Sequence, residues 1–197
     1  VEGLIPAKSV VVLAAKPKVG KSTAARSMAL SVARGDTWLG RACAQGPVWY
    51  LAFEGRRQDI KMHFQQMDAR DEDAISIFAG QAPRAVVHEV QQLAECERPA
   101  LIIIDTMQRF LRAKSTDDYA EMTTLLDTVI GIVKRSGATI MLLHHNRKAA
   151  QANLDNVLGS TAIAGSADTV LLLSRTEHYR TISTVQRTGP DLPETVL

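Results

Sequence analysis

The stretch Val10-Val11-Val12-Leu13-Ala14-Ala15-Lys16-Pro17-Lys18-Val19-Gly20-Lys21-Ser22-Thr23 sets a short apolar run directly before a lysine-rich loop and a helix-forming segment. An unbroken apolar run of this length reads as a strand buried on both faces. From Ala15 to Ser22 the sequence follows the pattern G-x-x-x-x-G-K-[ST] at every defined position except the first, where Ala15 stands. In such a loop successive backbone N–H groups curl around phosphate at a helix N-terminus, where orphan donors and the helix dipole both favour negative charge. Gly20 supplies the backbone freedom that close approach to phosphate needs. Lys21 can reach the outer phosphates, and the Ser22 hydroxyl suits Mg²⁺. Residues Ala15, Lys16, Pro17, Lys18, Val19, Gly20, Lys21, Ser22 and Thr23 are therefore the expected nucleotide-binding set. A methyl group at Ala15 is tolerable if its backbone stays in an ordinary region. Lys16 and Lys18 read as solvated or phosphate-attracting rather than catalytic.

Outward from this junction, apolar runs alternate with amphipathic or polar stretches, the signature of an α/β chain with a mostly parallel sheet. The expected strands are Val10 to Ala14, Val48 to Phe53, Ile75 to Phe78, Leu101 to Ile104, Thr139 to Leu143, Thr169 to Leu173 and Thr181 to Gln186. Expected helices run from Lys21 to Ala33, Arg56 to Met67, Val86 to Glu95, Asp117 to Arg135 and Ser160 to Gly165. The Asp117 to Arg135 segment starts acidic, ends in Lys134-Arg135 and is followed by Gly137, which suits the macrodipole and a glycine cap. Only Arg175 to Arg180 joins the last two strands, too little for a crossover helix, so they should form an antiparallel hairpin. Two stretches resist a regular assignment: Gln108 to Thr116 and Asn146 to Leu158, each leaving a strand end.

A chain of 197 residues is most simply one domain, spanning 1–197, with a sizeable core. Its start at Val1 rather than Met reads as a piece of a longer chain. A net charge of +2 is too small to argue for nucleic acid, so any basic surface must be local. Cys43 and Cys96 lack the spacing of a zinc or redox motif and suggest free thiols in a reducing cytoplasm. No apolar run approaches a membrane span and no signal peptide precedes the first strand, so neither membrane nor secretion is expected.

Further strands end in residues that nucleotide hydrolysis requires, and in an open parallel sheet such ends converge. Leu101-Ile102-Ile103-Ile104-Asp105 reads as a Walker B strand, with Asp105 placed to hold Mg²⁺ beside Ser22. Val48 to Glu54 ends in a carboxylate that can orient and deprotonate water, or that is simply solvated at a strand end. Met141-Leu142-Leu143-His144-His145 ends in two imidazoles, one of which can sense a γ-phosphate. Two histidines also suit a metal, but no third ligand stands at suitable spacing.

These residues, in this order, resemble the RecA-like hexameric P-loop ATPases, specifically the RepA and DnaB-type replicative helicase group, over nearly the whole chain. The resemblance implies a RecA-like core binding ATP and Mg²⁺. VWYLAFE looks like that family's second strand, which makes Glu54 the catalytic base; LLHHNRK looks like its sensor strand, which points best to His145. Gly159-Ser160-Thr161-Ala162-Ile163-Ala164-Gly165 followed by Ser166-Ala167-Asp168 looks like the stretch that leads into the family's next strand. Val185-Gln186-Arg187-Thr188-Gly189-Pro190 resembles its K-x-R-N-G-P segment, whose basic residues reach a neighbouring subunit's nucleotide. Val185 replaces the lysine, which leaves Arg187 as the finger, with Arg175 and Arg180 as weaker candidates. A finger acting in trans requires an oligomer, in this family a hexameric ring.

The same resemblance places DNA-binding loops after the Walker B strand and after the sensor strand, here Arg109, Arg112 and Lys114, and Arg147 and Lys148. Positive side chains in a narrow channel can track a single-stranded backbone; otherwise they are solvated surface. Phe110 is the aromatic residue near these loops. The expectation is an ATPase motor on single-stranded DNA. A RecA-like switch, recombination mediator or scaffold that does not unwind is the alternative. A small-molecule kinase is disfavoured, because Glu54 and the terminal hairpin do not suit one.

Overall fold

Strands without polar alternation must be covered on both faces, and helices between them supply that cover. The structure, a computed structural model, describes residues 1–115, 118–145 and 161–197. Along the chain run β1 (Val10–Ala15), α1 (Lys21–Arg34), β2 (Thr37–Trp38), β3 (Arg41–Ala42), β4 (Val48–Ala52), α2 (Arg57–Gln65), β5 (Ile75–Ala79) and α3 (Val86–Glu97). They are followed by β6 (Leu101–Asp105), α4 (Met107–Leu111), α5 (Tyr119–Ser136), β7 (Thr139–His145), α6 (Thr161–Ser166), β8 (Thr169–Arg175), β9 (Arg180–Gln186) and β10 (Thr195–Val196). Eight strands form one sheet in the order β10-β9-β8-β1-β7-β6-β4-β5. It is parallel from β8 to β5, and β9 and β10 add antiparallel at the other edge.

Side chains alternate across a strand, so each apolar run divides between two cores. Val11, Leu13, Tyr50, Ala52, Ile103, Met141 and Leu143 pack beneath α1 and α2 with Ala25, Met28 and Phe64. Val10, Val12, Trp49, Leu51, Ile102, Ile104, Ile140 and Leu142 pack on the other face against Val90 of α3 and Met122, Leu126 and Val129 of α5. The register sets Ala15 beside His145 and Ala52 beside Asp105, which brings the polar strand ends to one level.

All seven expected strands form, and the C-terminal pair is the expected hairpin, with Arg175 opposite Arg180. The α5 helix starts at Tyr119, where the Asp118 side chain accepts the Glu121 N–H at 3.0 Å; Asp117, the expected start, lies outside the described residues. At its other end Gly137 takes φ 74°, the left-handed cap that the sequence calls for. Three differences are local. The segment after β6 opens with the short helix α4, a two-residue β2–β3 ribbon precedes the Gly46-Pro47 turn, and β10 extends the hairpin. Elements of two to five residues carry too little periodicity to be read from sequence. Among the described residues no helix is long and apolar enough to cross a membrane.

One ion pair fastens α1 to the loop before β5. Arg34 Nε and Nη2 donate to the two Asp73 carboxylate oxygens at 2.7 Å each, and the Arg70 N–H adds a bond of 2.8 Å. The Arg34 bond holds the Asp73 carboxyl below its ordinary value of 3.8. The stabilisation is thus complete above that value and lost as pH falls through the depressed one. Asp73→Asn is expected to cost about 1–2 kcal/mol in urea unfolding near neutral pH. The difference should shrink below pH 3.8; a cost that stays constant into acid would refute the charge-based account.

Candidate active site

Ala15 is the last residue of β1, 3% exposed and paired with His145, so its methyl packs in the sheet and no glycine is required there. The turn tightens from three residues later: Lys18 takes φ 63° and Gly20 φ 114°. Gly20 caps α1 without a side-chain hydrogen bond, and the first turn of α1 carries no acidic residue. Its leading N–H groups are therefore open to an anion, as the loop pattern anticipates. Lys16, Pro17, Lys18 and Thr23 are exposed, whereas Val19 is buried. The Ser22 hydroxyl is half-buried and makes no hydrogen bond among the described residues.

Lys21 is the buried charge of this turn, 4% exposed. Its ammonium donates to the Ala15 and Lys16 carbonyls at 3.0 and 3.4 Å and lies 3.0 Å from His145 Nδ1. Burial lowers its pKa from the ordinary 10.5, with the charges of Asp105 and then Glu54 opposing. An ammonium can only donate, so Nδ1 accepts and Nε2 carries the proton. That nitrogen faces Glu54 Oε2 at 3.8 Å. His144, one residue earlier, points to the opposite face and is 4% exposed. Strand alternation therefore selects His145.

Glu54 lies two residues beyond β4 and is exposed. Its Oε1 accepts from Thr106 Oγ1 at 3.0 Å and from Arg109 Nε at 3.4 Å. Asp105, at the tip of β6, accepts from the Tyr50 hydroxyl at 3.0 Å through Oδ2, leaving Oδ1 without a hydrogen bond among the described residues. Burial, then the Asp105 charge, pushes the Tyr50 phenol up, with Arg26 opposing. Tyr50 therefore stays a donor and fixes the carboxylate. The donor set suits Mg²⁺, which takes few protein ligands and completes its shell from phosphate and water. Among the described residues no cluster of three or more His, Cys, Asp or Glu that could hold a metal occurs.

Lys21, Ser22, Glu54, Asp105 and His145 thus belong to one cluster at the carboxyl ends of β1, β4, β6 and β7. Arg187 does not. It sits at the opposite end of the sheet, with Nη1 3.5 Å from Asp168 Oδ1 and Nη2 donating to the Gly165 carbonyl. Asp168 in turn accepts the Val10 N–H at 2.9 Å, at the start of β1. Arg109 joins the cluster through Glu54, whereas Arg112 donates to the Ala82 carbonyl at 2.9 Å. The Lys114 and Ser115 N–H groups are gripped by the two Glu121 carboxylate oxygens at 3.0 and 3.2 Å. The second loop, Asn146 to Leu158 with Arg147 and Lys148, lies wholly outside the described residues. Phe110 is fully buried and stacks on Phe53 at 6.0 Å, so it offers no face to a base. The sequence reading missed two contributors, Tyr50 and Thr106, and named Arg180 only as a weaker finger candidate, not as a contact of its own phosphate loop. For Tyr50 a signal existed, since it shares the alternation of Glu54.

A parallel sheet with a phosphate loop after its central strand, a carboxylate on β6 and a C-terminal antiparallel extension defines a RecA-like P-loop ATPase core. The chain belongs to the AAA domain family, whose pattern its residues 1–151 match. Among solved structures it is similar to the KaiC-like protein PH0186 from the hyperthermophilic archaeon Pyrococcus horikoshii OT3. That likeness has a TM-score of 0.60 at 14% identity, covering 98% of this chain and 84% of the other. It establishes the fold. No curated protein matches the sequence.

Proposed function

We propose that the chain hydrolyses ATP with Mg²⁺ and couples the reaction to single-stranded DNA, as the core of a replicative, plasmid- or phage-type helicase working as a hexameric ring. The observation that carries this reading is the position of Glu54, whose Oε2 faces His145 while its Oε1 takes both Thr106 and Arg109, the latter from the expected DNA loop. Ser22 and Asp105 would hold Mg²⁺, which when bound neutralises phosphate charge. Lys21 supplies a second positive charge at the outer phosphates. Water attacks the γ-phosphorus as the bond to the bridging oxygen breaks, and Glu54 takes the water's proton; ADP and phosphate leave. Because Arg187 lies at the far end of the sheet from its own phosphate loop, a role as a finger is a role in trans. It must leave Asp168 to fill it.

Arg109 links the two activities. Exposed ion pairs are worth at most about 1 kcal/mol, so a DNA phosphate can take Arg109 from Glu54 and leave the carboxylate free for water. Arg109→Ala is therefore expected to raise the DNA-free rate up to about fivefold and to flatten stimulation by oligonucleotide. Unchanged stimulation would remove this link. The reading as a whole is tested by ATPase rate and oligomeric state with and without single-stranded DNA, and by displacement of a strand from a forked duplex.

A second reading, an ATP-dependent switch or recombination scaffold without unwinding, draws support from two contacts. Phe110 is sealed in the core and Arg112 is tied to Ala82, which leaves the described part of the DNA loops with little to grip a base. Nucleotide-dependent partner binding without strand displacement would favour it. The similarity to a KaiC-like protein is compatible with either.

A further inference from the structure

The hairpin that closes the sheet reaches back to the phosphate loop of its own chain. Arg180, the first residue of β9, donates from Nε to the Val19 carbonyl at 2.8 Å, across 161 positions of sequence. Its side chain lies over Gly20, where a Cβ would meet Arg180 Nε at 3.4 Å and Cδ at 3.9 Å. The two Nη nitrogens have no hydrogen-bond partner among the described residues.

In a trans peptide the C=O and the following N–H point in opposite directions. Holding the Val19 oxygen toward the hairpin therefore turns the Gly20 N–H away from it, to the side opposite the Arg180 guanidinium. Gly20 is the residue whose φ of 114° is free to flip, since no Cβ restrains it. The loop makes this restraint matter: Lys18 and Gly20 both have positive φ, with Val19 between them, a sparsely populated backbone shape that needs outside contacts to hold it. We infer that Arg180 is a positioning residue for nucleotide binding: it locks the Val19–Gly20 peptide so that the Gly20 N–H faces the phosphates, and it acts within its own subunit. Its contact with a loop carbonyl differs from that of a finger, which touches the transferred phosphate and works from a neighbour. This inference rests on the reading of the loop as an ATP site.

Pre-setting one peptide before binding lowers the ordering cost that the nucleotide would otherwise meet. ADP and ATP share the phosphates that a loop amide cradles, so both should feel its loss. Titration of Arg180→Ala with fluorescent ADP and with a non-hydrolysable ATP analogue is expected to show affinity about tenfold weaker for each. KM for ATP should rise in parallel and kcat should change less than threefold. Arg180→Lys, whose ammonium can still donate to the Val19 carbonyl, should recover most of the affinity. Thermal unfolding of the variants without nucleotide should match the parent, and Arg180→Met, which keeps the length and loses the donor to the Val19 carbonyl, carries the test with the same expected loss if Arg180→Ala does not fold.

Unchanged ADP affinity in a folded Arg180→Ala overturns the inference. So does a large fall in kcat at unchanged affinity that is rescued by mixing with Glu54→Gln subunits, which would make Arg180 a trans finger. Lys21→Ala serves as the control for the parent reading. If Lys21→Ala binds and hydrolyses ATP normally, the ATP site itself is wrong; if it fails while Arg180→Ala binds normally, the latch alone is wrong.

Discussion

Lys21→Ala is expected to remove ATP hydrolysis, with turnover falling on the order of 10³-fold. The ammonium is buried, bridges two loop carbonyls and contacts His145, so the substitution deletes the positive charge of the loop at its centre. Folding should change far less. Burial holds the Lys21 pKa down, which means that the charged form is kept at a cost to the folded state. That cost is present below the depressed pKa and disappears as pH rises through it. Alanine removes this cost together with the bonds to Ala15 and Lys16, and the two changes oppose each other. Hydrolysis at the parent rate, measured by phosphate release, would sink the assignment of the loop. A collapse of the melting temperature would instead make Lys21 a structural residue.

Glu54→Gln is expected to leave nucleotide bound and uncleaved, with kcat reduced by about 10²–10⁴ and affinity within a few-fold. Glutamine keeps the size and one carbonyl acceptor for Thr106 and Arg109, and loses the ability to take a proton from water. Equal loss of binding and turnover would show that Glu54 shapes the site rather than reacts in it. The same variant tests assembly. Mixed with Arg187→Ala, each inactive alone, it should restore part of the activity, because some interfaces then pair an intact Glu54 with an intact Arg187. A strictly monomeric active form with no rescue would eliminate a trans role for Arg187.

The phosphate loop was legible because its pattern is local: strand, turn and helix follow one another, and Gly20-Lys21-Ser22 are adjacent. Asp105 and Glu54 were legible because long apolar runs announce where strands end. His145 could be separated from His144 by counting, since alternation from Met141 and Leu143 carries position 145 to the α1 face. The contact of Arg180 with Val19 depends on a hairpin folding over from the far side of β1, and no spacing in the chain encodes it. Arg109 was assigned to DNA through the family resemblance; its bond to Glu54 depends on the turn of α4, too short to be read from a period. Phe110 shows the same limit in reverse, an aromatic residue beside a basic loop that belongs to the core.

The alignment of Ala15 with His145 and of Ala52 with Asp105 has a consequence for change in length rather than in kind. A single deletion within β7 would carry the Lys21-bound imidazole to the α5 face and bring His144's former neighbours to the surface beneath α1. No substitution at one position moves so many groups at once. Loops away from the cluster can absorb insertions without disturbing this arrangement, but the phosphate loop and the strands that lead into the cluster cannot, and the site is held as firmly by residue count as by residue identity.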